Sequence, residues 1–256
     1  MTTWNPQLYL QFGNERTQPS IDLANRIGIA RPQRVVDVGC GPGNSTAVLR
    51  QRWPDAEIVG FDSSPEMIAA AKTQHLEGTW LLADAATWVA EQAFDVVFSN
   101  AALQWLPDHV ALFPHLFAQV APGGALAVQI PTHERSAIHQ RMEAMANAPQ
   151  WRQHMAANRR VLTIEQPSFY YDVLQPLAKR LDMWETIYYH VLESSDAIVE
   201  WFRSTGLRPY LEALESDEQR EAFLTELRAG VALDYPQQRD GRVLLPFKRL
   251  FMVAYR

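Results

Sequence analysis

Cysteine is almost missing from this chain. Cys40 is the one thiol in 256 residues, which excludes an internal disulfide and any metal site built from several thiolates. Long hydrophobic runs are missing as well: no stretch approaches the roughly 18 apolar residues that a membrane-crossing helix needs, and the first nineteen residues lack the basic-then-apolar order of an export signal. Basic excess is absent. With 23 Lys and Arg against 29 Asp and Glu, the formal net charge is −6, the wrong sign for a general nucleic-acid binder. There is no block of five like charges, no low-complexity tract and no fixed-period repeat. Neither a membrane nor a nucleic acid is expected as a partner, and the cytoplasm is the expected setting. What is present is apolar material, 47% hydrophobic against 20% charged, enough for a large core in one domain.

From Gln33 onward, short β-branched runs alternate with helical patterns, the signature of a parallel sheet covered by helices on both faces. Strands are expected at 34–38, 57–62, 80–82, 94–99 and 125–130, with helices at 44–53, 64–72 and 107–120 between them. Pro65 suits a first helical turn, and Pro122-Gly123-Gly124 is expected to stop the third helix. Beyond Pro131 the rhythm changes. Residues 133–158 read as helical and rich in Arg, His, Met and Gln, the start of a cap. Residues 169–180 read as a helix, 184–191 as a strand, and 195–233 as helices broken at Gly206 and Pro209. A final strand or hairpin is expected over 242–255, after the Asp240-Gly241 turn. The fold expected is α/β: a doubly wound, seven-stranded, mostly parallel sheet with a helical cap inserted before the last strands. Residues 1–131 would carry the N-terminal segment and a cofactor core, and 132–256 the cap and final strands of the same domain.

Three glycines fall at every second position in Val38-Gly39-Cys40-Gly41-Pro42-Gly43-Asn44, between a buried strand and a helix. Glycine lets the backbone turn sharply and approach a ligand without a Cβ, and the helix start behind it offers N–H donors. The dinucleotide fingerprint G-x-G-x-x-G would need glycine where Asn44 stands. A purely structural turn is the plain alternative. Asp62 ends the second strand at the spacing of a carboxylate that accepts ribose hydroxyls, a role dehydrogenases share. The fourth strand ends in Ser99-Asn100-Ala101-Ala102-Leu103-Gln104-Trp105-Leu106, polar and aromatic groups at the carboxyl edge where open α/β sheets bind ligands. Trp105 there serves either the core or a ligand.

Gly39, Gly41 and Gly43 resemble the loop of class I methyltransferases, which faces an amino acid rather than a pyrophosphate. Asp84, otherwise a strand-end turn residue, then stands where that pattern puts an acid beside the adenine amino group. More narrowly, the chain resembles the trans-aconitate 2-methyltransferases, bacterial enzymes that esterify a carboxylate of a tricarboxylic acid. The resemblance rests on residues 4–10, on Gly39 to Thr46, on Asp62-Ser63-Ser64-Pro65, and above all on Leu103-Gln104-Trp105-Leu106-Pro107-Asp108-His109 and Leu112-Phe113-Pro114-His115-Leu116. It continues in Tyr188-Tyr189-His190, Thr205-Gly206-Leu207-Arg208-Pro209 and Arg249-Leu250-Phe251. It implies a Rossmann-like class I fold, S-adenosyl-L-methionine as cofactor, a monomethyl ester product and no metal. Cofactor contacts are implied at Asp37, Gly39, Cys40, Gly41, Asn44, Asp62, Ser63, Met67, Asp84, Ala85, Asn100, Ala101 and Trp105.

A carboxylate with a pKa of about 4 to 5 is already ionised at neutral pH, so displacement at a sulfonium needs no general base. The chain shows no convincing Ser-His-Asp or Cys-His arrangement, and none is required. Catalysis would rest on positioning and desolvation. The substrate carboxylates that are not methylated need cations or donors, with Tyr9, Arg16, Gln104, Trp105, Tyr188, Tyr189 and Arg208 as candidates; for each arginine a solvated surface charge is the alternative. His190 reads as structural and His133 is open. Asp62→Ala is expected to weaken cofactor binding with little change in the melting temperature of the free protein. Three other readings stand beside this one: a class I methyltransferase for carbon or a phenolic oxygen, a nicotinamide-dependent oxidoreductase, and a non-catalytic cofactor-binding module.

Overall fold

The computed structural model describes residues 13–132, 136–155, 162–203 and 206–256, with side chains from Thr17 onward. After helix α1 (Gly13–Arg26), strands and helices alternate as β1 (Arg34–Val38), α2 (Asn44–Arg52), β2 (Glu57–Asp62), α3 (Pro65–Gln74), β3 (Thr79–Leu82) and β4 (Phe94–Asn100). Helix α4 (His109–Ala118) and strand β5 (Val120–Pro131) follow. Val35, Val36, Val38, Val96, Val97 and Phe98 are fully buried, the two-faced burial of parallel strands sandwiched by helices. The sheet order is β3-β2-β1-β4-β5-β7-β6, with β1 parallel to both β2 and β4. The chain builds outward from β1 to β3, then returns to β4 on the other side, so the topological switch lies between β1 and β4. Ligands of open α/β sheets bind at such a switch. Strand β7 (Val243–Tyr255) runs against β5: Arg256 N donates to Gly124 O at 3.0 Å and Thr132 N to Lys248 O at 2.9 Å, so one number falls as the other rises. The expected doubly wound, mostly parallel seven-stranded sheet is the observed one.

Several boundaries differ from expectation, each for a local reason. Leu103–Trp105 forms a 3-10 turn and Asp108 takes the cap, its side chain accepting from Ala111 N, so α4 begins at His109 instead of Pro107. That helix ends before the Pro-Gly-Gly segment, which belongs to a bulge inside β5. Pairing passes from Phe94 with Val120 to Val96 with Ala125, two residues against five. Helix α7 (Pro167–Leu174) stops short because β6 (Arg180–Leu192) already begins at Arg180, and residues 243–255 make one strand, not a hairpin. Pro209 does not break a helix; it sits in the first turn of α9 (Arg208–Glu212), where no backbone donor is needed.

The chain forms two compact units. One comprises Met1–Pro131, Leu162–Thr186 and Leu250–Arg256. Its core joins Val36, Val38, Phe61, Val97, Leu103, Phe113, Val128, Tyr170 and Met252. The other comprises Thr132–Val161 and Ile187–Arg249, with α5 (Ala137–Asn147), α6 (Arg152–Met155), α8 (Ser195–Arg203), α9 and α10 (Asp217–Asp234). Ile138, Met142, Ile198, Phe202, Phe223 and Leu227 are among its buried apolar residues, and Arg141 grips Asp234 through two hydrogen bonds of 2.6 and 2.7 Å. Its helices therefore come in two instalments. The second runs from within β6 to within β7 rather than wholly before the last strands.

Candidate functional site

The loop after β1 is shaped by two glycines that answer different demands. Gly39 has φ +69, and a Cβ there would collide with Ala102 Cβ, so glycine lets the loops after β1 and β4 touch. Gly41 has φ +55 and an added Cβ would meet nothing within 4 Å; its open side is where a ligand can approach. The loop's amides are engaged inside the protein. Gly39 N and Cys40 N both donate to Phe61 O, at 2.8 and 2.9 Å, and Gly43 N donates to Cys40 O at 3.0 Å. Gly41 N donates to Asp62 Oδ2 at 3.0 Å. A pyrophosphate-binding loop keeps such donors for its ligand, and these are already committed.

Acceptors dominate instead. Asp37 is fully buried, and its Oδ2 accepts from Ser45 Oγ at 2.7 Å and Thr46 Oγ1 at 2.6 Å. Ser45 and Thr46 lie in the first turn of α2, and their hydroxyls hold this carboxylate. Asp37 Oδ1 meets no donor among the described residues. Burial pushes the Asp37 carboxyl up to about 6, against the pull of its two hydroxyl donors. Asp62, half-buried at the end of β2, accepts Ser64 N on Oδ1 at 2.9 Å as well as Gly41 N on Oδ2. Burial raises its pKa, against the lowering effect of these amides. The expectation that Asp62→Ala would leave the free protein's stability nearly unchanged does not fit this geometry, because the substitution strips two loop amides of their acceptor. Cys40 is buried with its thiol on Gly41 O at 3.6 Å, and desolvation raises its pKa, which leaves it unreactive.

Neighbouring residues complete this edge. Asn44 opens α2, half-buried; Ser63 is exposed, and Met67 is buried in the first turn of α3, its amide donating to Ser64 Oγ. The Ala83 N to Asp62 O bond of 3.1 Å carries the chain beyond β3 past Asp62. There Asp84 is exposed and closes an Asx turn, Oδ1 accepting from Ala86 N at 2.9 Å, ahead of buried Ala85. His115 Nε2 donates to Trp88 O at 2.8 Å and Gln119 Oε1, just beyond α4, accepts from Ala90 N at 2.9 Å, so His115 and Gln119 together pin the segment that follows Asp84.

At the end of β4, Ala101 takes φ +55, a conformation rare for a residue with a Cβ. It is held from both sides, Ala101 N donating to Gln129 O at 3.0 Å and Ala101 O accepting from Gln104 Nε2 at 2.8 Å. Buried oxygens remain. Asn100 Oδ1 and Gln104 Oε1 meet no donor among the described residues. His109 stabilises the adjoining 3-10 turn, its Nε2 donating to Leu103 O and its Nδ1 accepting from Tyr170 OH, at 3.0 and 2.9 Å. Trp105 is half-buried on that turn. Asp37, Asn100 and Gln104 thus offer unsatisfied oxygens, a set of acceptors suited to an ammonium and to hydroxyls, not to a polyanion.

The remaining expected residues lie elsewhere. Tyr9, His133 and the side chain of Arg16 fall outside the described residues. Tyr188, Tyr189 and Arg208 belong to the second unit. Strand alternation sends the tyrosines to opposite faces: Tyr189 is 63% exposed, while Tyr188 shares a face with buried His190, their rings parallel. Arg208 pairs its Nε with Glu212 Oε1 at 2.7 Å, one turn along α9. Arg249, which sequence reasoning did not single out, is buried at 4% exposure. A signal existed: it interrupts the buried alternation of Leu245, Phe247 and Phe251 on β7, a position where charged residues are seldom found. No group of three or more His, Cys, Asp or Glu among the described residues is arranged to hold a metal ion, and no described helix is long and apolar enough to cross a membrane.

A family model for a methyltransferase domain matches residues 12–212. The chain is 45% identical to the trans-aconitate 2-methyltransferase of Azoarcus sp., over the full length of both chains. It is 44% identical to the trans-aconitate 2-methyltransferase of Methylobacterium radiotolerans, covering 99% of this chain and 98% of that one. Among solved structures, phosphoethanolamine N-methyltransferase 2 of Haemonchus contortus, in complex with S-adenosyl-L-methionine, aligns with a TM-score of 0.56 at 16% identity, over 93% of this chain and 52% of the other. That likeness speaks to the fold. With the glycine loop, the sheet order and these full-length relatives in agreement, the chain belongs to the trans-aconitate 2-methyltransferase family of methyltransferases.

Proposed function

We propose that this protein methylates a carboxylate of trans-aconitate, or of a closely related polycarboxylic acid, giving a monomethyl ester and S-adenosylhomocysteine. One observation carries the reading: the loop after β1 has engaged its amides while Asp37, Asn100 and Gln104 hold unsatisfied oxygens beside it. When bound, S-adenosyl-L-methionine supplies a methyl group on a cationic sulfur. Asp37 and Asn100 offer the acceptors that its ammonium requires, and Asp62 keeps lone pairs for ribose hydroxyls. Asp84 and Ala85 would face the adenine. In the transfer, the bond from carboxylate oxygen to methyl forms as the bond from sulfur to methyl breaks, and no proton moves. His109 fits this scheme because both its ring nitrogens are committed, to Leu103 O and Tyr170 OH, so it is not available as a base. Gln104 and Trp105 would position the acid at the sheet edge, and Arg208 with Tyr188 would contribute to holding it. We place the activity in the cytoplasm.

The test is incubation with methyl-labelled cofactor and trans-aconitate, followed by identification of the product. A single labelled methyl ester is expected. Methylation of a phenol or of carbon from a substrate panel, with no carboxyl ester formed, would overturn the reading.

A further inference from the structure

Gln104 is fixed from several sides, and part of the hold comes from a tyrosine on another helix. The two peptide planes that flank its Cα carry the oxygens of Leu103 and Gln104. Leu103 O accepts from Leu106 N and from His109 Nε2, both at 3.0 Å, and Gln104 O accepts from Thr163 N at 2.9 Å. The side chain is tied at its far end, Nε2 donating to Ala101 O at 2.8 Å. A single hydroxyl joins His109 to the segment around Thr163. Tyr170 OH, on α7, lies 2.9 Å from His109 Nδ1 and accepts from Glu165 N at 3.2 Å. Tyr170 is fully buried, its ring packed on those of His109, Phe113 and Phe169. All these residues belong to the first unit.

What each partner can do sets the direction of every bond. A carbonyl only accepts, so His109 Nε2 carries the hydrogen that Leu103 O takes. Burial holds the His109 pKa below its ordinary value, against the raising effects of Leu103 O, Glu165, the Leu106 backbone and Asp108. The neutral ring therefore keeps Nδ1 as an acceptor for the Tyr170 hydroxyl, whose oxygen takes the Glu165 amide. A closed circuit results, running from Leu103 O through His109 and Tyr170 to the 163–165 backbone and back to Gln104 O. Such a circuit admits one arrangement of the residue at its centre. A phenylalanine would fill the same apolar space, so the hydroxyl serves the circuit and not the core. We propose that Tyr170 is a positioning residue for methyl transfer, acting through His109 and Thr163 to hold Gln104 where it orients the acid. Small displacements of an orienting group are costly where catalysis is positioning. This rests on the reading that Gln104 orients a polycarboxylic acid.

Tyr170→Phe tests it by removing one oxygen and leaving the rings in place. It is expected to lower kcat/KM for trans-aconitate about tenfold, with the dissociation constant for S-adenosylhomocysteine within about twofold of wild type. A purely structural hydroxyl would weaken both ligands alike or neither. In a Gln104→Ala background, itself impaired, the same substitution should cost less than about twofold, because groups that act through one another are not additive. His109 supplies a second route. Gln can set an amide N–H near the place of Nε2, whereas Asn reaches only as far as Nδ1, so His109→Gln should recover most of the roughly tenfold loss expected in His109→Asn. If Tyr170→Phe does not fold, the His109 pair decides. An unchanged kcat/KM in folded Tyr170→Phe, an undiminished cost in the Gln104→Ala background, or equal losses in the His109 pair overturn the inference while leaving the substrate reading intact. A wild type that forms no ester from trans-aconitate overturns the substrate reading, and the inference with it.

Discussion

The glycine loop of the first unit and the ring cluster around His190 in the second are held together by opposite means. Around Gly39 and Gly41 the work is done by backbone and by carboxylates anchored to it: Asp62 takes two amides, and Asp37 takes the hydroxyls of Ser45 and Thr46. Around His190 and Arg249 it is done by side chains alone, drawn from β6, α8 and β7. The first arrangement suits a ligand that never changes. The second can be altered one side chain at a time without disturbing a turn.

The contrast breaks most visibly at the glycines. Gly39→Ala should destabilise the protein by about 3 kcal/mol, combining left-handed strain with the collision at Ala102, and abolish turnover. Gly41→Ala carries only the strain, about 1 kcal/mol, because its added Cβ meets open space. It should nonetheless weaken cofactor binding, since that open space is the approach route. Denaturant unfolding and calorimetric titration of the two variants separate these effects; equal stability losses would show that the loop is not built as described.

Asp37 gives the next largest effect, and its sign is fixed by linkage. Its pKa is about 6 when folded and near the ordinary 3.8 when unfolded, so the folded state binds the proton more tightly. The resulting stabilisation is fully present below pH of about 4 and is lost as pH rises through about 6, on the order of 3 kcal/mol in all. Asp37→Asn should remove that slope, and the wild type minus variant difference in unfolding free energy between pH 4 and 7 measures it. A flat difference would mean that the carboxyl is not desolvated. Asp62→Ala should follow, with about 2 kcal/mol lost from the free protein by unfolding, as Gly41 and Ser64 amides lose their acceptor, together with weaker cofactor binding. Asp62→Asn, which keeps an acceptor, should recover much of the stability.

The first unit was largely legible because its constraints are local. A glycine at every second position, a proline in a first turn and a carboxylate at a strand end each act within a few residues, so β1, α2, β2 and α3 fall where their residues say. The bulge at Pro122-Gly123-Gly124 was misread as a helix stop because the same residues serve both purposes. The second unit was less legible since Tyr188, Trp201, Phe247 and Arg249 are separated by up to sixty-one positions and meet only through folding. Even so, Arg249 at a core-facing position of an apolar strand was a readable anomaly, while Arg208, singled out by its motif, is found in an ion pair on its own helix. Arg208→Ala should therefore raise the KM for the acid by no more than about tenfold, with cofactor affinity unchanged. A variant with normal KM would confine Arg208 to its pairing with Glu212.

The smallest effect tests strand alternation itself. Tyr188 and Tyr189 are adjacent, yet a strand turns successive side chains to opposite faces, and only Tyr188 shares the face of His190. Tyr189 is 63% exposed, so Tyr189→Phe should change stability by less than about 0.5 kcal/mol and KM by less than about twofold. Tyr188→Phe keeps the ring that lies by Arg249 and removes only the hydroxyl, which isolates any hydrogen bond this tyrosine makes to the acid. Steady-state kinetics of the pair read the outcome directly. If Tyr189→Phe raises KM more than Tyr188→Phe, the acid is held from the face of β6 opposite His190.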